Sequence, residues 1–244
     1  MSLRLSVSNI NKNYNGKSVL RNCSFSFDKN GIYILIGPNG SGKSTFLRIC
    51  ALLEEPDKGQ VKFRGEANGG VLKNDIALKR RITLLLPKIG VFNTTVFNNV
   101  AYGLNVRGMK SREVGDKVYR TLELVGLNDK RDQNALSLSS GEAQRLGIAR
   151  AMVIEPEVLF LDEPTASLDP HSTTIIEEAI TKLKENNRLT IIMVTHNIFQ
   201  AKRLADRVLF MYDGKIVDHG PNREFFEKPK DERAYRFITG QMVY

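Results

Sequence analysis

In its first quarter the chain reads Gly37-Pro38-Asn39-Gly40-Ser41-Gly42-Lys43-Ser44. An apolar run at 31–36 precedes this stretch and predicts a buried strand, and the residues from Thr45 to Leu53 predict a helix that ends before Pro56. Glycines at such a turn let backbone N–H groups approach phosphates, Lys43 can neutralise the β- and γ-phosphates of a nucleotide, and the Ser44 hydroxyl can bind Mg²⁺. Strand, loop and helix in this order predict a phosphate-binding loop.

A second glycine-containing stretch reads Leu138-Ser139-Ser140-Gly141-Glu142-Ala143-Gln144-Arg145. Its Ser-Ser-Gly turn predicts a helix that begins at about Glu142. The N-terminus of a helix presents free N–H groups and a partial positive charge, which together favour phosphate. One nucleotide would then have two phosphate cradles in one chain, and two chains that share nucleotides between them would explain the surplus.

An acidic pair follows the apolar run Val158–Leu161, which suits a strand buried on both faces of a parallel sheet. Asp162 and Glu163 at the end of this strand are costly to bury unless another charge compensates them. Mg²⁺ would compensate Asp162, and Glu163 would then be placed to activate a water as a general base. The alternative is that the pair only caps the next helix.

Other segments outline the architecture. Residues 3–27 alternate as two or three antiparallel strands with an Asn15-Gly16 turn, and Gln60–Gly65 predicts another strand. Residues 94 to about 155 have a mostly helical pattern, with Val114, Val118, Leu122 and Val125 at helical spacing. Val208–Val217 predicts a hairpin on an Asp-Gly turn.

Composition limits the class of protein. The 36 Lys and Arg residues outnumber the 27 Asp and Glu residues and give a net charge of +9, but they are dispersed and not interleaved with aromatics. This patterning disfavours nucleic-acid binding; ATP and an anionic membrane surface would account for the excess charge. No apolar run approaches the ~18 residues of a spanning helix, and Met1–Arg4 lack the apolar stretch of a signal peptide. Cys23 and Cys50 fit small buried residues of a reducing compartment better than a disulfide.

With these motifs in family order over residues 10–220, the chain resembles the nucleotide-binding subunit of an ATP-binding-cassette (ABC) transporter. The loop at 37–44 matches its Walker A motif, Asp162-Glu163 its Walker B motif with the catalytic Glu, and 138–144 its signature motif, with Ser140 and Glu142 in place of the commoner Gly and Gln. Ser167-Leu168-Asp169 matches the D-loop, His196 the switch histidine, and Tyr14 the aromatic residue that stacks on adenine. His171 and His219 receive no chemical role.

The resemblance implies a P-loop NTPase fold of the α/β class. One ABC ATPase domain would cover 1–244, with a RecA-like, mostly parallel sheet, an antiparallel β subdomain and a helical subdomain inserted at about 90–155. It also implies the site. The expected catalytic residues are Glu163, His196 and Lys43, and the expected metal ligands are Ser44 and Asp162. The expected nucleotide-binding residues are Tyr14, Gly37, Asn39, Gly40, Ser41, Gly42, Lys43, Ser44, Thr45, Ser139, Ser140, Gly141 and Asp169.

One departure concerns the loop after the strand Arg81–Leu86. The family carries a Gln there that touches Mg²⁺ and the attacking water, whereas this chain has Pro87-Lys88. Pro87 has no N–H to donate, and Lys88 cannot accept a hydrogen bond. Either hydrolysis is slowed or another group reaches the metal.

The implied partners are a second copy of the chain in a head-to-tail ATP dimer, integral membrane permease subunits at the cytoplasmic face of the membrane and, indirectly, an extracytoplasmic solute-binding protein. Residues 92–104 and the tail 229–244 resemble tungstate importers, which makes tungstate the first expectation, before phosphate or molybdate. Two other classes remain open: a soluble ABC ATPase of iron–sulfur assembly, and a nucleic-acid or ribosome ATPase of the same fold. The second typically has two cassettes or a long coiled-coil insertion, and an exporter half is disfavoured because it usually carries a fused membrane domain.

Overall fold

The computed structural model describes residues 3–65, 69–166, 168–185 and 189–242. Ser167 of the expected D-loop and the last two residues of the tail, Val243 and Tyr244, lie outside the described residues. The strands are β1 Leu3–Tyr14, β2 Lys17–Phe27, β3 Gly31–Ile36, β4 Lys58–Gly65, β5 Ile82–Leu85, β6 Val158–Asp162, β7 Thr190–Val194, β8 Arg207–Tyr212 and β9 Lys215–Pro221. The helices are α1 Lys43–Cys50, α2 Ile76–Lys79, α3 Val96–Val106, α4 Ser111–Leu124, α5 Ser140–Met152, α6 Pro170–Lys184, α7 Ile198–Leu204, α8 Asn222–Glu227 and α9 Glu232–Ile238.

These elements divide into two compact units. The first unit consists of Met1–Leu84, Glu157–Glu163 and Asn186–Tyr244, and the second unit of Leu85–Pro156 and Pro164–Glu185. Every strand except the last residue of β5 therefore belongs to the first unit, and α3, α4, α5 and α6 belong to the second.

A three-stranded antiparallel sheet of order β2-β1-β4 forms one layer of the first unit. Buried and more exposed residues alternate along its strands because one face of the sheet is buried. Leu5 of β1 lies between Phe27 of β2 and Phe63 of β4, and all three are about 1% exposed. Asn15 and Gly16 connect β1 to β2 with positive φ angles of 49° and 79°, as a tight hairpin turn requires. The expected antiparallel strands, including the one at 60–65, are thus confirmed.

The second sheet has six strands in the order β5-β6-β7-β3-β8-β9. The pairs β6/β7, β7/β3 and β3/β8 are parallel, and the β8/β9 hairpin on Asp213-Gly214 is antiparallel. Strands β3, β6 and β7 are buried along their whole length, which explains their continuous apolar sequences. Because the strands are parallel, their carboxyl ends share one edge, and the loops that follow β3, β6 and β7 meet there.

The second unit is helical. Helix α4 buries Val114, Val118 and Leu122 at helical spacing and leaves its polar residues outside, as the sequence predicts. Thr95 caps α3 by accepting a hydrogen bond from the Asn98 N–H. Short 3-10 turns at Asn128–Lys130 and Ala135–Ser137 lead into α5.

Two expected boundaries shift. Helix α1 covers Lys43–Cys50 and does not reach Leu53, because Leu52 adopts a left-handed φ of 57°. Helix α5 begins at Ser140, two residues before the predicted start, because Ser139 is extended and serves as its N-cap. Cys23 and Cys50 are buried free thiols, as predicted. Among the described residues, none of the helices has the length and apolar character needed to span a bilayer.

Candidate nucleotide site

The loop between β3 and α1 depends on glycine at two positions. Gly37 has a φ of 148°, and a Cβ added to it would lie 2.0 Å from the backbone oxygen of Met211 in β8. Gly42, the residue before α1, has a left-handed φ of 98°, and its Cβ would lie 2.8 Å from the Val19 oxygen. A side chain at either position would collide with backbone, so the loop keeps its shape only with glycine.

Lys43 is held against this loop. Its side chain is buried, with the residue 6% exposed, and Nζ donates hydrogen bonds of 2.8 Å to the carbonyl oxygens of Gly37 and Pro38. Burial lowers the pKa of Lys43, against the opposing charges of Glu163 and Asp162. The cation is thus fixed at the centre of the loop, beside two carboxylates.

Ser41 contributes a buried hydroxyl that has no hydrogen-bond partner among the described residues. The residue is 3% exposed, its carbonyl accepts a bond of 3.1 Å from the Gly214 N–H, and its Oγ has no partner in the described part of the chain. A buried polar atom without a partner costs about 1–3 kcal/mol. This atom therefore fits a loop that binds the oxygens of a ligand.

Ser44 and Asp162 join the loop to the end of β6. Ser44 Oγ donates to Asp162 Oδ1 over 3.0 Å, and Asp162 is 3% exposed. Burial raises the pKa of Asp162, and the charge of Glu163 raises it further, against the Ser44 hydrogen bond and the charges of Arg48 and Lys43. A hydroxyl and a partly desolvated carboxylate 3.0 Å apart suit Mg²⁺, which prefers oxygen ligands and keeps much of its shell as water and phosphate. The described residues contain no group of three or more His, Cys, Asp or Glu able to hold a metal alone.

Glu163 and His196 meet at the carboxyl edge of the parallel sheet. Asp162 lies opposite Val194 in the β6/β7 register, so the residues that follow these two strands are neighbours. Glu163 has a left-handed φ of 48°, its N–H donates to the Val194 carbonyl, and its Oε2 lies 3.2 Å from His196 Nδ1. A non-glycine residue in this conformation is strained, and such strain clusters at functional sites. The carboxylate is therefore oriented by the histidine, as a general base needs to be.

A cleft of about 630 Å³ opens over the loop. Tyr14, at the end of β1, lines it with 39% of its surface exposed, and Thr45 lines it from the first turn of α1. The cleft is lined by the expected residues Tyr14, Asn39, Gly40, Gly42, Lys43, Ser44, Thr45 and Glu163. The first unit thus brings together the predicted phosphate loop, the acidic pair, the switch histidine and the aromatic residue.

Three charged lining residues were missed from the sequence: Lys17, Arg21 and Asp213. Arg21 Nη1 forms an ion pair of 2.7 Å with Asp213 Oδ2, and the Arg21 N–H donates to the Gly214 carbonyl. Lys17 carried a weak signal, since it follows the turn after Tyr14. Asp213 was identified only as a turn residue, because its place beside β2 depends on long-range packing.

The expected signature residues start α5 in the second unit. Ser139 Oγ accepts a hydrogen bond of 3.3 Å from the Glu142 N–H, and Glu142 Oε2 accepts one of 2.9 Å from the Ser139 N–H. This reciprocal arrangement is a capping box. Lys130 pairs with Glu142, and these two interactions lower the pKa of Glu142 to about 2. The negative charge of Glu142, which stands where the family has Gln, is thereby compensated by Lys130 of the same unit.

Gly141 and Asp169 lie close together in the second unit. A Cβ on Gly141 would lie 3.0 Å from Ser172 Oγ, so glycine permits close packing of α5 on α6. Asp169 Oδ1 accepts a 2.9 Å hydrogen bond from the Ser172 N–H and caps α6, and this bond is the main reason that its pKa is lowered. Asp169 therefore has a structural role in addition to its expected contact with nucleotide.

The loop after β5 leaves Pro87 and Lys88 exposed. The next residue, Ile89, packs on α5 at Gly147, where a Cβ would lie 2.6 Å from Ile89 Cδ1. Of the two histidines without an assigned role, His171 lies in the first turn of α6, and His219 is exposed within β9, with its ring 5.2 Å from that of Phe25.

Comparison with known proteins agrees with this geometry. The model of the family described as "ABC transporter" matches residues 20–166. A phosphate import ATP-binding protein, PstB 2, of Natronomonas pharaonis is 38% identical over 98% of this chain and 88% of its own length. PstB 1 of Yersinia pestis is 38% identical over 97% of this chain and 91% of its own length, and a "Probable anion import ATP-binding protein" of Haloferax volcanii is 35% identical over 99% of this chain and 88% of its own length.

Two solved structures share the fold. CbiO1 of Clostridium perfringens, described as part of the ABC transporter complex cbiONQ, has a TM-score of 0.80 at 25% identity and covers 99% of this chain and 96% of its own. The ATP-binding cassette MJ0796, solved as a dimer in a post-hydrolysis state with ADP and Pi, has a TM-score of 0.79 at 26% identity and covers 90% of this chain and 99% of its own. The expected cassette fold is therefore confirmed, and the chain belongs to the ABC transporter family as an ATP-binding subunit.

Proposed function

We propose that the chain hydrolyses ATP to power an importer of phosphate or a related oxyanion. The observation that carries this proposal is the cleft of the first unit, in which a phosphate loop, a Ser44–Asp162 pair and an oriented Glu163 lie together. Relatives with 97–98% coverage of this chain are named as phosphate import ATP-binding proteins.

The proposed solute is phosphate rather than tungstate. The sequence favoured tungstate from two segments, 92–104 and 229–244, which together cover a small part of the chain. The relatives named for phosphate import match almost the whole chain, and the Haloferax volcanii relative is named only for an anion. No contact within the described residues distinguishes one oxyanion from another, because the solute would bind to other subunits of the transporter.

The side chains that the sequence predicted for the cleft have proposed parts in binding ATP. Tyr14 stacks on adenine, and the N–H groups of 37–44, with the Ser41 hydroxyl, surround the phosphates. Lys43 neutralises the β- and γ-phosphates, and Asn39 and Thr45 border them. Ser44 and Asp162 would hold Mg²⁺, which would neutralise phosphate charge when bound.

Hydrolysis follows from the position of Glu163. The carboxylate accepts a proton from a water as the water oxygen attacks the γ-phosphorus, the bond to the bridging oxygen breaks, and ADP and phosphate leave. His196, 3.2 Å from Glu163, holds the carboxylate in place and contacts the γ-phosphate. Most of the rate enhancement comes from positioning and charge stabilisation, as in phosphoryl transfer generally.

The second unit has its proposed part in a dimer. Residues 1–244 form one ABC ATPase domain, with a helical subdomain at about 90–155, and two copies meet head to tail. Each ATP is held by Lys43 of one copy and by Ser139, Ser140, Gly141 and Asp169 of the other. Integral membrane permease subunits bind the pair at the cytoplasmic face of the membrane, and a solute-binding protein delivers the oxyanion from outside. The solved relatives named as a dimer and as part of a transporter complex support this arrangement.

The direct test isolates a tagged Glu163→Gln variant, with ATP bound, from the membranes of its own cell. A polytopic membrane protein is expected to come with it. The companion binding protein is then titrated with phosphate, tungstate and molybdate, and phosphate is expected to bind most tightly. Recovery of soluble partners only, with the protein absent from membranes, would contradict the importer and leave a soluble ABC ATPase.

The dimer has its own test in Ser139→Arg, which places a bulky cation where the other copy's ATP is expected. Light scattering with ATP should show loss of dimers, while binding of ATP to the monomer remains. Gln133→Arg is the matched control, because Gln133 is exposed in the same segment and has no proposed contact with nucleotide. Unchanged dimers in Ser139→Arg would refute the shared site.

A further inference from the structure

A cluster of charged side chains contacts Tyr14. At its centre is Glu54, in the segment after α1, whose side chain is 20% exposed. One carboxylate oxygen accepts the hydroxyl of Tyr14 and lies 3.3 Å from Lys12 Nζ, and the other accepts Arg48 Nε over 3.2 Å. Glu54 thus binds three donors, none of which belongs to the phosphate loop or the acidic pair.

The cluster extends to the phosphate loop through Arg48. This residue lies in the last turn of α1, and its Nη2 donates to Thr45 Oγ1 over 3.2 Å. Thr45 lines the cleft. A chain of hydrogen bonds therefore runs from the hydroxyl of Tyr14 through Glu54 and Arg48 to the first turn of the helix that follows the phosphate loop.

The strand that carries Tyr14 is fixed to the same segment. Lys12 Nζ donates 2.7 Å to the Glu55 carbonyl, and Asp57 Oδ2 accepts 2.7 Å from the Asn13 N–H. The end of β1 is therefore anchored to residues 54–57 by main-chain and side-chain bonds. The side chain of Tyr14 has two contacts of its own: Lys12 Nζ lies 5.5 Å from the centroid of its ring, and Glu54 accepts its hydroxyl.

Glu54 remains ionised in this position. Burial would raise its pKa, but the hydrogen bonds from Tyr14, Arg48 and Lys12 outweigh burial and lower the pKa below the usual value. A charged acceptor forms stronger hydrogen bonds than a neutral one, so the hydroxyl of Tyr14 is held firmly.

We propose that Glu54 is a positioning residue for the nucleotide base: it fixes the ring of Tyr14 at a set place relative to Thr45 and the phosphate loop. The inference rests on the proposed function, because it takes the cleft to bind ATP with adenine on Tyr14. Glu54 does not touch the nucleotide. A Tyr14 ring that is already ordered loses less rotational freedom when adenine stacks on it, so the anchor strengthens binding of the base and leaves the phosphates unaffected.

The test compares ATP with Mg²⁺-tripolyphosphate, a probe with phosphates and no base. Glu54→Ala is expected to raise the KM for ATP roughly 3- to 10-fold, with kcat within about twofold of wild type and tripolyphosphate affinity unchanged. Tyr14→Phe keeps the ring, removes only the hydroxyl and should have the same effect, and the double variant should be no weaker than Glu54→Ala alone. Glu55→Ala is the matched control, since it removes an exposed carboxylate one position away.

Two results would overturn the inference: an unchanged KM for ATP in folded Glu54→Ala, or equal weakening of ATP and tripolyphosphate, which indicates general damage to the cleft. Tyr14→Phe keeps the test valid if Glu54→Ala does not fold. Lys43→Ala separates this inference from the proposed function. If wild-type protein binds ATP and Lys43→Ala abolishes that binding, a null result at Glu54 refutes the positioning role alone. If wild type does not bind ATP, both proposals fail.

Discussion

The two units differ in how completely their candidate phosphate sites satisfy their own polar groups. In the loop at 37–44, the Ser41 hydroxyl is buried without a partner among the described residues, and Lys43 is buried beside two carboxylates. At the start of α5, Ser139 and Glu142 satisfy each other and Lys130 neutralises Glu142. The first arrangement gains from a bound anion, whereas the second is a complete helix cap without one.

The two units also differ in how closely their motif residues follow the family pattern. The motif residues of the first unit follow the pattern throughout, while Ser140, Glu142 and Pro87 all lie in the second unit. The residues proposed to bind and hydrolyse ATP in the first unit therefore keep the family's residue types, and the substituted positions lie in the second unit.

The largest effect is expected from Glu163→Gln, which removes the proposed base and keeps the shape of the side chain. The ATPase rate should fall roughly 10²–10⁴-fold, because proton transfer to a positioned base contributes about that much. ATP affinity should remain, since Lys43 and the loop are untouched. Steady-state phosphate release and equilibrium ATP binding measure the two quantities separately. Glu155→Gln, which makes the same change at a side chain that is 72% exposed, is the control. A wild-type rate in Glu163→Gln would show that the base lies elsewhere.

Substitution of one glycine in each unit by alanine is the next test. Gly37→Ala places a Cβ 2.0 Å from the Met211 oxygen at a left-handed φ, and it should lower the free energy of unfolding by about 3 kcal/mol or more. In Gly141→Ala the nearest atom to the new Cβ is the Ser172 hydroxyl at 3.0 Å, followed by ordinary contacts at 3.6 Å, and the residue gains helix propensity, so the effect should stay within about 1 kcal/mol. Gly115→Ala in α4, with nothing within 4 Å, should be neutral or stabilising.

Urea unfolding measures all three variants. Equal losses in Gly37→Ala and Gly141→Ala would remove the distinction between a strained phosphate loop and an ordinary helix start. A stable Gly37→Ala protein would show that the loop tolerates a side chain and that its shape is not fixed by β8.

Much of the first unit could be predicted from the sequence, because its signals are local. The run 31–36, the loop at 37–44 and the acidic pair after β6 each carry their pattern within a few residues, and the rule that parallel strands end at one edge brings them together. The Ser139–Glu142 capping box carries its sequence signature, a serine followed three residues later by glutamate, but the predicted helix start at Glu142 missed it.

The unpredicted part depends on residues far apart in the chain. Glu54 meets Tyr14 across 40 positions, and Arg21 meets Asp213 across 192. Neither pair has a periodicity or motif that would connect its members. Lys130 beside Glu142 is closer, 12 positions away, but it depends on the 3-10 turns that the helical pattern did not predict.

A smaller effect is expected where the second unit departs from the family at the loop after β5. Pro87→Gln supplies the side chain that the family uses at the metal and the attacking water. If its absence slows hydrolysis, kcat should rise roughly 2- to 10-fold, because one hydrogen bond contributes about 0.5–1.5 kcal/mol. Lys88→Gln introduces the same side chain one position later and should change kcat little. No rise in Pro87→Gln would indicate that another group already performs this role.

The smallest effect concerns the stability of the cap in the second unit. The pKa of Glu142 is about 2 in the folded chain, against an ordinary value of 4.5. Because the folded pKa is lowered, the stabilisation is complete above about pH 4.5 and is lost as the pH falls towards 2. Glu142→Gln can keep the bond to the Ser139 N–H but loses the Lys130 pair, so its free energy of unfolding at pH 7 should fall by at most about 1 kcal/mol.

Urea unfolding at pH 7, 5, 4 and 3 tests this cap. The gap between wild type and Glu142→Gln should narrow below pH 4.5, since the Glu142 carboxylate of the unfolded chain becomes protonated there while that of the folded chain stays ionised until about pH 2. Lys130→Met, which leaves Glu142 unpaired, should show a similar loss at pH 7. If the gap is constant over this range, the cap is held by its neutral hydrogen bonds alone. The presence of Glu142, where the family commonly has Gln, would then have no electrostatic effect on the stability of the second unit.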